Sequence, residues 1–366
     1  MSFATLPTGP GRMSGWPRLP WTYWSNPILN ALPAFWLSRG PLAWLLLPAG
    51  LLFRLIVGCR RWLYRAGWRE VSVLPVPVVV IGNVFVGGTG KTPLVIWLVR
   101  SLSAAGYRPG VISRGYGGSK EAPQEVMPES APGVTARRAG DEPVLIAART
   151  ACPVVVGRDR VAAAKLLLRL HPDIDVIVSD DGLQHYRLPR QLEIAVFDAR
   201  GTGNGWMLPA GPLRESATRP RDFTVINGAV SAPGVDGKTW EMALVPGDAW
   251  QLLDRQQHMP LASLCAGKRV LASAGIGNPA RFFAMLASLG LEFDALPLPD
   301  HYPFERNPFE GQAADIILIT EKDAVKCAGN AALNTDARLW VVPVTAALDG
   351  PLIERILERL RGSPPA

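Results

Sequence analysis

The chain has 366 residues, 48% of them hydrophobic and 19% charged, which suits a large packed core and excludes wholesale disorder. Its net charge of +7 resides almost entirely in residues 1–70, which hold eight Arg, no Lys and a single acid, Glu70. A basic patch confined to one end implies an anionic surface touched by that end, not a nucleic-acid groove running through the fold.

Seven of the twelve Trp also lie in residues 1–70, around the apolar run 41–59. Trp and Arg flanking an apolar helix is the composition of a membrane interface. As a helix, this run would extend roughly 28 Å, barely a bilayer core. Arg54 lies inside it, at a mid-bilayer cost of about 2.5–3.5 kcal/mol, and Pro48 and Gly50 would loosen the helix. An interfacial or shallowly inserted helix is therefore favoured over a clean span. If the helix does span, Arg60, Arg61, Arg65 and Arg69 put the following domain in the cytoplasm. Cys59, Cys152, Cys265 and Cys327 form no C-x-x-C pair, which speaks against a zinc site and suits a reducing compartment.

Next comes a strand expected at 77–81, a glycine-rich stretch over 82–90, and a helix over 94–105. Strand, glycine loop and helix N-terminus together make a phosphate cradle. Gly87, Gly88, Thr89, Gly90, Lys91 and Thr92 are the candidate nucleoside triphosphate-binding residues, with Lys91 on the β/γ-phosphates and the Thr92 hydroxyl on Mg²⁺. A strict P-loop has Gly where Phe85 stands. Further strands are expected at 110–113, 153–156, 175–179, 193–198 and 223–227, and helices at 142–149 and 158–170. Such alternation implies a mostly parallel sheet flanked by helices. Residues 120–140 read as a loop over the site, and 200–222 as an irregular surface loop.

A second alternating pattern follows: strands at 270–274, 316–320 and 339–344, helices at 279–289 and 352–360. The predicted architecture is α/β, a P-loop NTPase-like sheet with a smaller C-terminal α/β lobe and an N-terminal membrane-associated helix. The expected divisions are 1–70, a P-loop domain over 71–228, a linker over 229–265 and a C-terminal domain over 266–366.

The apolar run 175–179 ends in Asp180 and Asp181. Carboxylates at the C-terminal end of a strand, near a P-loop hydroxyl, are how such sites hold Mg²⁺, and the sequence does not separate the two. Gln184 follows within a turn. Asp141 and Glu142 begin a helix, where a carboxylate serves as a cap and is also placed to accept a proton from an attacking hydroxyl. His301 lies in a proline-bounded aromatic loop, and Arg114 and Arg214 are loop arginines suited to bidentate phosphate contacts.

Together the stretches 82–93, 110–118 (GVISRGYGG), 140–143, 179–186 (SDDGLQHY), 208–215 (LPAGPLRE), 274–283 (AGIGNPARFF), Asp300-His301 and 320–326 (TEKDAVK) resemble the tetraacyldisaccharide 4'-kinase (lipid A 4'-kinase) family, in family order. Phe85 is in keeping with that family; Ser216 and Tyr302 depart from its commoner Pro and His. The resemblance implies transfer of the ATP γ-phosphate to the 4'-hydroxyl of a tetraacyldisaccharide 1-phosphate, giving lipid IVA. It implies Asp141 as catalytic base paired with His301, lobe closure to assemble them, and a lipid substrate met at the membrane. Arg114, Tyr116 and Arg214 become candidates for the substrate. The rival reading is a membrane-linked P-loop GTPase or ATPase, but no guanine-reading Asn-Lys-x-Asp is present; Thr320-Glu-Lys-Asp323 only approaches it.

Overall fold

A computed structural model describes residues 34–115, 122–127, 136, 138–229 and 231–362. Helix α1 runs Pro41–Arg65. Strand β1, Val78–Gly82, is followed by α2, Lys91–Ala104. Then come β2 Pro109–Ser113, β3 Gln124–Glu125, α3 Asp141–Thr150, β4 Val154–Val156, α4 Arg160–Leu170 and β5 Val176–Asp180. Three strands follow without an intervening long helix: β6 Leu192–Asp198, β7 Phe223–Asn227 and β8 Trp240–Pro246. The second part contains β9 Ala249–Gln251, β10 His258–Met259, α5 Leu261–Cys265, β11 Val270–Ala274 and α6 Pro279–Ser288. It continues with β12 Asp294–Pro297, β13 Ile316–Thr320, α7 Glu321–Cys327, α8 Ala331–Asn334 and β14 Leu339–Val342. The chain closes with β15 Val344–Leu348 and α9 Leu352–Arg361.

The first sheet has nine strands in the order β15-β8-β7-β6-β1-β5-β2-β4-β3. From β8 to β4 neighbours run parallel, and only the edge strands β15 and β3 are antiparallel. The strands are apolar on both faces because helices cover both faces. Alternate residues enter two cores: Val79, Ile81, Val176 and Val178 one, Val78, Val80, Ile177 and Phe197 the other. The second sheet has order β10-β9-β14-β13-β11-β12, parallel from β14 to β12, with its own two cores.

Sheet membership cuts the chain differently from the expected divisions. The expected linker contains β8 of the first sheet and β9 and β10 of the second. The single strand expected at 339–344 is broken by Pro343, which cannot donate to a ladder. Beyond it, β15 crosses back to pair with β8, and α9 buries Leu352, Ile356 and Leu360 in the first sheet's core. Strand β15 and helix α9 thus clamp the first lobe.

Helix α1 continues through Pro48 and ends six residues beyond the predicted run. It buries little besides Ala43 and Gly50, and exposes Leu45, Leu52, Leu55 and Ile56. At 25 residues it is long and apolar enough to cross a membrane. Its packed side lies on residues 206–210: a Cβ at Gly50 would stand 3.1 Å from Ala210 Cβ, and Trp44 meets Trp206 edge to face at 4.8 Å. The 200–222 segment, expected at the surface, is irregular but partly interior, with Thr202, Asn204, Ala210 and Leu213 buried. Its hydrogen bonds explain this, since Asn204 holds the 35–38 backbone and Val86 N–H donates to Pro212 O at 2.9 Å.

Candidate active site

The carboxyl ends of five parallel strands bring Gly82, Ser113, Asp180, Asp198 and Asn227 to one edge, where open α/β sheets bind ligands. Register makes two of these contacts unavoidable: Asp180 lies opposite Ile81, and Asn227 opposite Asp198. Beyond β1 the chain wraps around Asn83, whose Nδ2 donates to Phe85 O (2.6 Å) and Gly87 O (2.9 Å). Its Oδ1 accepts from Lys91 Nζ at 3.0 Å. Gly87 and Gly90 adopt φ of +96° and +90°, and a Cβ at Gly90 would overlap the Asn227 amide. Both positions therefore demand glycine.

Phe85 fills the place of the missing glycine as an anchor. Its ring is buried, Arg200 stacks over it at 4.5 Å, and its backbone bridges to Leu213. The loop is held by packing where a standard P-loop relies on a tight turn.

Asp181 receives Lys91 at 3.7 Å and two nitrogens of Arg214 at 2.9 and 3.2 Å. Burial opposes its ionisation, but Lys91 and Arg214 outweigh it and hold the carboxyl well below the usual range. Asp180 is buried deeper. Its Oδ2 accepts from Ser113 Oγ at 3.0 Å, while Oδ1 has no hydrogen-bond partner among the described residues. Burial, then the charge of Glu142, push it up to about 7. A carboxylate so costly to ionise alone fits a hard dication bound through oxygen, and Thr92, buried in the first turn of α2, offers a hydroxyl.

Asp141 is the first residue of α3, 6% exposed, with Oδ2 3.2 Å from His301 Nδ1 of the second lobe. Lys326 and Lys322 of α7 stand 3.8 and 4.0 Å from the same oxygen. Burial would raise its pKa; the His301 hydrogen bond and the cations overcome this and keep it below the ordinary carboxylate range. That hydrogen bond reciprocally raises His301. His301 holds a left-handed φ of +56°, a conformation that costs a non-glycine residue about 1–2 kcal/mol and turns its ring toward Asp141. Glu142 pairs with Lys322 at 2.8 Å and lies in the field of Lys91, so the carboxylates, lysines and phosphate loop form one electrostatic unit.

The structure thus links Lys91, Asp141, Glu142, Asp180, Asp181 and His301 through ion pairs, hydrogen bonds and shared fields, with Thr92 next to Lys91 at the start of α2. Gln184 donates to Asn83 O at 3.4 Å, and Arg214 bonds Asn83 as well as Asp181, so both brace the loop. Arg114 follows β2, and its charge is felt by Arg160 and His185. Tyr116 lies outside the described residues. Sequence reasoning missed Lys322 and Lys326 as partners of Asp141. Their spacing of four puts them on one face of α7, a helix that was not expected between the strands at 316–320 and 339–344. Asp323, which resembles a guanine reader on paper, is spent internally on Thr320 Oγ1 (2.7 Å) and Gly275 N–H (3.0 Å).

Comparison with known proteins gives the family. Residues 42–361 match the family model described as LpxK, tetraacyldisaccharide-1-P 4'-kinase. A tetraacyldisaccharide 4'-kinase from Janthinobacterium sp. (strain Marseille) is 58% identical over 332 residues, 89% of this chain and 94% of the relative. One from Herminiimonas arsenicoxydans is 55% identical over 339 residues, with the same coverage. The crystal structure of an "apo" form LpxK from Aquifex aeolicus in complex with ATP superposes with a TM-score of 0.70 at 30% identity, covering 87% of this chain and 98% of that one. The chain belongs to the tetraacyldisaccharide-1-phosphate 4'-kinase family.

Proposed function

We propose that the protein transfers the γ-phosphoryl group of ATP to the 4'-hydroxyl of tetraacyldisaccharide 1-phosphate, giving lipid IVA in lipid A biosynthesis. The observation that carries the mechanism is the Asp141–His301 contact, which joins a carboxylate of the first lobe to an imidazole of the second beside the phosphate loop. Asp141, kept ionised by its cations, accepts the proton of the attacking hydroxyl, and His301 orients it. Lys91 is already posed at the loop and would move from Asn83 to the β/γ-phosphates, where its charge offsets that developing on the transferred group. Thr92, Asp180 and Asp181 would hold Mg²⁺, which neutralises phosphate charge when bound. Because His301, Lys322 and Lys326 come from the second lobe, closing the lobes completes the base, and opening releases product.

Arg114, Tyr116 and Arg214 are the proposed contacts to the disaccharide and its anomeric phosphate. Arg214 would have to exchange part of its bond to Asp181 to serve. The exposed apolar face of α1, the arginines of its last turns and Arg69 would keep the enzyme on the inner membrane, catalytic lobes on the cytoplasmic side. A GTPase reading finds no support in the internal bonding of Asp323. The test is a pair of variants: Asp141→Ala should retain ATP binding and lose turnover, and Lys91→Ala should damage both. An Asp141→Ala enzyme with near-normal turnover would sink the base assignment.

A further inference from the structure

Three successive carbonyls of the phosphate loop are each held by a side chain from a different part of the sheet edge. Gly87 O accepts from Asn83 Nδ2 at 2.9 Å, Gly88 O from Arg200 Nη2 at 3.0 Å, and Thr89 O from Asn227 Nδ2 at 2.9 Å. In a trans peptide the C=O and the next residue's N–H point in opposite directions. Holding each carbonyl toward its side chain therefore turns the N–H of the same peptide, that of Gly88, Thr89 and Gly90 in turn, away from that side chain. Among the described residues none of these three N–H groups donates a hydrogen bond within the protein. Consecutive free donors of this kind form an anion nest.

The holding residues are themselves fixed. Asn83 and Asn227 are buried at the ends of β1 and β7. Arg200 lies against the Phe85 ring and grips Asp198 through Nε (3.0 Å) and Nη2 (2.6 Å). Asp198 is 1% exposed and also accepts from Arg281 of α6 at 3.1 Å, so both lobes touch the carboxylate that sets Arg200. The second lobe comes close here too, since a Cβ at Gly277 would stand 3.7 Å from Gly88 N.

We infer that Asn83, Arg200 and Asn227 are positioning residues that aim the phosphate-binding amides before nucleotide arrives. Asp198 and Arg281 hold Arg200 in that role. The inference rests on the reading that nucleotide phosphates lie on residues 87–92, and it assigns Arg200 and Asn227 a task that the P-loop pattern does not contain. Preset donors cost no reorganisation on binding and so favour the ligand that uses them.

The test uses the full chain in detergent micelles, with Arg200→Met and Asn227→Ala, and calorimetric titration of ADP and AMP. ADP reaches the loop amides with its β-phosphate, and AMP does not. Each variant should weaken ADP about tenfold, the equivalent of ~1.4 kcal/mol, while leaving AMP within about twofold of wild type. Arg200 is partly exposed, so Arg200→Met keeps the test alive if Asn227→Ala fails to fold. ADP binding within about twofold of wild type in Arg200→Met would overturn the inference, as would equal losses of ADP and AMP. Wild-type protein binding ADP no better than AMP would instead contradict the phosphate-loop reading on which the inference stands.

Discussion

Lys322→Met tests whether the second lobe's lysines sustain the base. Lys322 Nζ stands 2.8 Å from Glu142 and 4.0 Å from Asp141, its side chain 21% exposed. At an effective dielectric of about 20, the closer pair attracts with roughly 6 kcal/mol gross, most of which desolvation cancels. Exposed pairs contribute about 0.2–1 kcal/mol, and removing one member of a buried pair costs about 3–5. This site lies between those limits, so Lys322→Met should destabilise by about 2 kcal/mol. In a cycle with Glu142→Gln, the coupling should be about 1 kcal/mol, because Asp141 remains unbalanced in the double variant. Urea unfolding of the four proteins measures it. Turnover supplies a second reading: without Lys322 the Asp141 pKa rises, so the acid limb of kcat/KM should move to higher pH. A coupling below about 0.3 kcal/mol with an unmoved acid limb would refute the argument.

Asp141 raises the His301 pKa, so the stabilisation from their pairing is present below about pH 6.5 and lost as pH climbs through the folded value. An NMR titration of His301 should give a midpoint above that value, returning toward it in Asp141→Asn; an unmoved midpoint would break the link. Gly90→Ala combines left-handed strain of about 1–2 kcal/mol with displacement of Asn227, and should lower ATP affinity by at least tenfold, ~1.4 kcal/mol, by calorimetry. Replacing Leu45, Leu52 and Leu55 together by Ser should reduce sedimentation with anionic vesicles while leaving turnover in detergent near wild type. Unchanged sedimentation would place the membrane contact elsewhere.

The parallel strands were legible because each is a short β-branched run buried on both faces, and all six expected in the first sheet appear within a residue or two. Short elements such as the edge strands β3 and β10 and β10's neighbour β9 were not, since two or three residues have no periodicity to read. The return of β15 and α9 to the first sheet was invisible for another reason: periodicity locates a strand but not its partner. At the candidate site, Lys91, Asp141, Asp180, Asp181 and His301 were singled out from local pattern or family resemblance. Arg200, Asn227, Lys322 and Lys326 were missed because their roles arise only when segments over a hundred residues apart meet. Phe85 illustrates both sides: a defect against the P-loop pattern, and in the folded chain the buried ring on which Arg200 rests.

The central claim is that a sugar hydroxyl, activated at Asp141, receives the phosphate held by residues 87–92. Incubating the purified protein with γ-labelled ATP, Mg²⁺ and tetraacyldisaccharide 1-phosphate, then separating the lipid, tests it most directly. The account predicts label on the lipid at the 4'-position, abolished in Asp141→Ala; label released only as inorganic phosphate would contradict it.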